Sequence, residues 1–119
     1  MTATNKAKRL LYVSYIGKVR RDELKRALEE VGALLADLPA GFRLLTDLER
    51  LESMDPAGMT EIGKIMEKLS RNGMELVVRV IPDPSKDIGL NILSIFHYGR
   101  RIRVVTCENM AEAAKALTL

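Results

Sequence analysis

The sequence has no tryptophan, one cysteine and one histidine, and only 4% of its residues are aromatic. The lone Cys107 excludes an intramolecular disulfide and has no second thiol with which to share a metal, in keeping with a reducing compartment. With His97 as the single histidine, any metal site would rest on carboxylates alone, so neither a metal nor another cofactor is expected. The scarcity of aromatics bears on nucleic acid as well. The basic stretch "KVRRDELKR" has no interleaved ring to stack on bases, so no nucleic-acid partner is expected. No apolar run approaches the roughly 18 to 20 residues that cross a membrane, which argues against membrane insertion. The start, "MTATNKAKRLL", lacks an apolar segment followed by a small-residue cleavage site, so a cytoplasmic location is expected. No Gly-x-Gly-x-x-Gly or Walker-type loop follows any predicted strand, which removes the usual nucleotide motifs.

What is present fits one domain over residues 1–119, with residues 1–8 as a flexible tail. Hydrophobic residues make up 47% and charged residues 29%, a composition that supports a single packed core. The net charge of +3 is unevenly spread. Residues 1–26 carry eight Lys or Arg against two acids and the remaining chain eleven against fourteen, so +6 faces −3. Much of that basic excess belongs to the polar side of an amphipathic helix.

"RLLYVSYIG" mixes β-branched, aromatic and leucine residues and stops at Gly17, which predicts a strand over 9–16. Asp22 is then placed as the N-cap of a helix whose apolar positions, Leu24, Leu28, Val31, Leu35 and Leu38, recur at spacings of three and four until Pro39 and Gly41. "FRLLTDL" and the valine-rich "MELVVRVIP" read as buried strands. Between them lies a second amphipathic helix with Met59, Ile62, Met66 and Leu69 inward, closed by Gly73. A third helix is predicted over "DIGLNILSIFHY", a fourth strand over "RIRVVTC", and a last helix over "NMAEAAKAL" with Asn109 as its cap. The order βαβαβαβα predicts an α/β fold with a mostly parallel sheet of four to five strands, since same-direction strands need helical crossovers. Ligands and partners of such sheets gather beyond the carboxyl ends of the strands. The loops there are 17–21, 47–55, "PDPSKD" and "TCEN".

The most informative of these is "TDLERLESMDPAGMTEI". Asp55 suits an N-cap, Pro56 suits a first helical position because its missing N–H would be unpaired anyway, and the helix dipole favours the carboxylate. Gly58 is unexplained by capping, since glycine in a first turn is disfavoured by up to ~1 kcal/mol relative to alanine; it implies a close approach by another backbone or a partner. Around this loop Ser53, Met54 and Met59 complete a candidate docking edge, with Asp47 closing the preceding strand.

This stretch resembles the central motif of STAS domains, the anti-sigma-factor antagonist (SpoIIAA-like) family, in which a strand ends in Asp-Leu and a second Asp eight residues later opens a helix through Asp-Ser-Ser-Gly. Asp47 and Leu48 match the strand end, and Asp55 and Gly58 match the first and last members of the tetrapeptide. Gly73 and the final "EAAKAL" helix fall in family order, and the likeness runs from about Leu10 to Leu117 with one N-terminal strand fewer in view. It implies a STAS-like fold and a surface, Asp47, Ser53, Met54, Asp55, Pro56, Ala57, Gly58 and Met59, that docks a protein partner. In that family the first serine after the aspartate is phosphorylated, and the added negative charge breaks binding. Here that position is Pro56, and Ala57 replaces the second serine. Neither has a hydroxyl, so a phospho-switch at these two positions is chemically excluded. Ser53 and Thr60 flank the loop, where such residues are most often local hydrogen-bonding groups.

The expectation is therefore a non-catalytic interaction module. A second reading is a carrier or sensor for a small apolar or lipid-like ligand in a cleft beside Met54 and Met59, because methionine suits adaptable apolar contacts. An enzyme would need His97 as base for Ser85, Ser94 or Cys107, none of which sits in a nucleophile motif, or an acid-base pairing of Asp47 with Asp55. His97 more simply ends the third helix, where an imidazole suits the dipole. An exposed edge strand would allow a homodimer, but no pattern demands one.

Overall fold

The computed structural model describes residues 2–81 and 102–118. The helix predicted over residues 87–98, the "PDPSKD" loop, His97, Ser85 and Ser94 lie outside the described residues. The main sheet has five strands: β1 (Thr2–Asn5), β2 (Leu10–Ser14), β4 (Arg43–Asp47), β6 (Leu76–Val80) and β7 (Arg103–Cys107), in spatial order β1-β2-β4-β6-β7. β1 is antiparallel to β2, and the other neighbours are parallel. Two short strands, β3 (Gly17–Val19) and β5 (Leu51–Met54), form a separate parallel pair. The helices are α1 (Arg21–Leu35), α2 (Met59–Arg71) and α3 (Met110–Ala116).

Register explains why the central strands read as nearly continuous apolar runs. Leu11, Leu44, Val77 and Val104 align across the sheet, as do Leu45, Val78 and Val105 one step on, so alternate residues face opposite layers. Leu11, Val13, Leu44 and Val77 pack with Leu24, Val31, Ile62 and Leu69 of α1 and α2. Leu10, Leu45, Val78 and Val80 pack with Ala113 of α3 and the following Leu117. Burial on both faces is what a parallel sheet requires.

Three expectations are corrected. Residues 2–5 are an edge strand rather than part of a tail: Thr2 to Asn5 pair with Val13 to Leu10, and the Thr2 hydroxyl donates to Glu30 of α1 at 2.9 Å. Asp22 does not cap α1. The N-cap is Arg20 without a side-chain bond, and Asp22 and Glu23 lie in the first turn, where the dipole favours acids. The stretch 17–21, expected as a loop, is also not wholly one: Gly17 (φ +69°) turns the chain out of the main sheet, and Gly17–Val19 then form β3. α2 ends as its sequence suggests. Gly73 takes φ +88°, and its backbone N–H donates to the Ser70 carbonyl at 3.2 Å.

Candidate functional site

The 47–59 segment is built from a sequence of local bonds. At the end of β4, the Asp47 carboxylate accepts from the Tyr12 hydroxyl at 3.1 Å and from the Glu49 backbone N–H at 3.0 Å. Both oxygens are thus committed to holding β2, β4 and the following turn together. Leu48, fully buried, donates its N–H to the Val80 carbonyl at 2.9 Å and so pins the turn to β6. The chain then runs back as β5 against β3, and the Asp55 N–H donates to the Val19 carbonyl at 2.9 Å.

Asp55 caps a single 3-10 turn, Pro56–Gly58, and not α2 itself. Its carboxylate accepts from the Ala57 N–H at 2.9 Å, and its carbonyl accepts from the Gly58 N–H at 2.8 Å. α2 starts one turn later with Gly58 as its N-cap, which has no side chain to contribute. This corrects the expected Asp55 cap of α2: proline fixes the first position, and the chain tightens to a 3-10 turn before opening into the helix.

Gly58 finds its explanation inside the molecule. A Cβ there would fall well inside contact distance of Leu24 Cδ1, and Leu24 is fully buried in α1. The close approach that glycine allows is therefore between the turn and α1. Beside it, Arg21 Nε donates to Glu61 Oε1 at 3.4 Å; Glu61 is buried, and its Oε2 has no hydrogen-bond partner among the described residues.

The outer side of the segment is different. Ser53, Asp55, Pro56, Ala57 and Thr60 are exposed, and Met54 and Met59 are half-buried. The Ser53 and Thr60 hydroxyls make no hydrogen bond among the described residues, so they are not the local bonding groups that their positions suggest. Six of the eight candidate residues thus form one contiguous outward edge, while Asp47 is occupied as a structural latch and Gly58 faces α1. Asp47 and Asp55 are each held in their own turn, which gives no support to an acid-base pair.

Two features escaped the sequence reading. A cleft of about 300 Å³ opens beside α1, with Val13, Tyr15 and Leu24 among its lining residues, Arg26 and Glu30 alongside, and half-exposed Ile16 at its edge. An apolar slot lies under Ile62, Ile65 and Met66 of α2, away from Met54 and Met59, but its roughly 30 Å³ admits a water molecule and not an acyl chain. Tyr15, nine-tenths buried, borders both; its phenol makes no hydrogen bond among the described residues, and burial pushes its pKa far above the ordinary range. No spacing signal marks such a residue, since it reads as one more apolar position of a strand. The Cys107 thiol is also pushed up, first by burial and then by the charge of Glu112, so it stays protonated and is a poor nucleophile at neutral pH. Among the described residues no group of three His, Cys, Asp or Glu is placed to hold a metal, and no helix is long and apolar enough to cross a membrane.

Strand order and helix placement are those of a SpoIIAA-like, or STAS, fold. Solved structures agree. An uncharacterized protein of the DUF3478 family with a SpoIIAA-like fold, from Shewanella loihica PV-4, matches with a TM-score of 0.75 at 13% identity, over 98% of this chain and 90% of its own. The anti-sigma factor antagonist SpoIIAA in its unphosphorylated form matches at 0.63 and 13% identity, over 99% and 96%. An anti-sigma factor antagonist from Mycobacterium paratuberculosis matches at 0.61 and 21% identity, over 100% and 94%. No protein-family model and no curated protein sequence matches the chain.

Proposed function

We propose that this chain is a non-catalytic, regulatory interaction module that docks a protein partner on the edge formed by Ser53, Met54, Asp55, Pro56, Ala57 and Met59. The observation that carries this reading is the preformed turn. Its polar groups are satisfied from within, by the Asp55 carboxylate and carbonyl, while its side chains stand outward at the carboxyl ends of the parallel strands. A surface that needs no ordering loses little entropy on binding. The SpoIIAA-like fold lends further support, since anti-sigma factor antagonists of that fold are named for acting on other proteins. With Pro56 and Ala57 in the tetrapeptide, docking at this site is not reversed by phosphate on those two positions.

Ala57→Glu tests the reading. The side chain is exposed and only the backbone N–H is bonded, so the urea midpoint stays within experimental error of wild type while partner capture by the immobilised protein is lost. Undiminished capture by Ala57→Glu sinks the proposal. The carrier reading is the weaker one, because the apolar slot is too small and lies away from Met54 and Met59.

A further inference from the structure

At the opposite ends of the strands, where β2, β4 and β6 begin, an open hollow of about 450 Å³ is bordered by Lys8, Arg9, Gly41, Arg43, Glu75 and Thr118. Three cations face one carboxylate here. Arg43 is half-buried and immobilised: Nη1 donates to the Leu117 carbonyl at 2.6 Å and Nη2 to the Lys8 carbonyl at 2.8 Å. Those bonds use two of the five guanidinium N–H groups and bring no negative charge. Among the described residues, none of Lys8, Arg9 and Arg43 has a carboxylate within ion-pair distance.

The backbone is equally committed. Arg9 sits at φ +50°, a region that a side-chain-bearing residue rarely adopts, and is locked there by its N–H on the Lys6 carbonyl at 3.1 Å and its carbonyl on the Arg43 N–H at 2.8 Å. Thr118, across the hollow, has φ +54°. Residues held in sparsely populated conformations cluster where a site is preorganised. The fixed, half-buried Arg43 guanidinium, with the exposed Lys8 and Arg9 beside it and Glu75 as the one carboxylate on the border, is suited to multidentate recognition of an oxyanion. We infer that this hollow binds the phosphoryl group of a small soluble molecule through Lys8, Arg9 and Arg43, with Glu75 limiting the affinity.

Titration of the 15N-labelled full chain with sodium pyrophosphate, against sodium chloride at matched ionic strength, tests this. Amide shifts at Lys8, Arg9, Gly41 and Thr118 are expected to saturate with pyrophosphate and not with chloride. Arg9→Gly removes a charge and relieves the left-handed backbone, so binding weakens about tenfold while the urea midpoint holds or rises; Lys8→Ala weakens it likewise, and Glu75→Gln tightens it. A solely structural Arg9 would not move stability and binding in opposite directions. Equal shifts with chloride, or wild-type binding by Arg9→Gly, overturns the assignment. Binding to phosphatidate vesicles without binding to pyrophosphate overturns the soluble ligand.

Discussion

Single residues in the 47–59 segment divide between those that build the turn and those that face outward, and Gly58 marks the division. It sits at φ −84°, an ordinary helical value, so conformational freedom is not its purpose. What matters is space, since Leu24 occupies the volume that a Cβ would need. Gly58→Ala is therefore expected to lower unfolding stability by about 1–3 kcal/mol, the range for overpacking a filled site. Urea unfolding measures it, and a variant as stable as wild type would show that α1 yields more easily than the buried Leu24 implies. Ala57, one residue earlier, predicts the reverse pattern of intact stability and lost capture. Two neighbouring substitutions thus separate scaffold from surface.

Among the elements, α3 depends most on its ends. It has seven residues, too few to be helical alone, and only Ala113 within it is fully buried. The Asn109 side chain accepts from the Glu112 N–H at 2.9 Å, and Glu112 returns a bond to the Glu108 N–H at 2.9 Å. Asn109→Ala should lower stability by about 1 kcal/mol and speed amide exchange at Glu112 selectively. Exchange unchanged at Glu112 would mean that packing of Leu117 alone holds the helix. This cap was legible in the sequence, as were α2, β4, β6 and β7, because their apolar periods are long or unbroken and end at or near Asp, Asn, Gly or Pro. β1 and the β3–β5 pair were not. Strands of three or four residues carry no usable alternation, and their pairing depends on where Gly17 and the 48–51 turn send the chain. The 55–58 turn was legible as a cap but misplaced by one turn, because Asp-Pro serves a 3-10 start as well as an α-helical one.

At the scale of the molecule, the groups among the described residues whose ionisation is opposed by folding are two acids held neutral: Tyr15 by burial, and Cys107 by burial with the Glu112 charge. Each has a folded pKa above its unfolded one, so the folded state retains a proton that the unfolded state releases. The stabilisation is therefore complete below the unfolded values, 9.0 for the thiol and 10.0 for the phenol, and is lost as pH rises beyond them. Unfolding free energy should be level in this respect up to about pH 9 and then fall, by at most about 1.4 kcal/mol per pH unit for each group. Tyr15→Phe isolates the larger contribution. With no hydrogen bond to the hydroxyl among the described residues, the variant should match wild type at pH 7 to within about 1 kcal/mol and exceed it at pH 10.5 to 11. Urea unfolding at these pH values decides the matter. Parallel decline of the two proteins would mean that the phenol reaches water in the folded state, and the cleft beside α1 would then be a hydrated channel to Tyr15 instead of a dry wall.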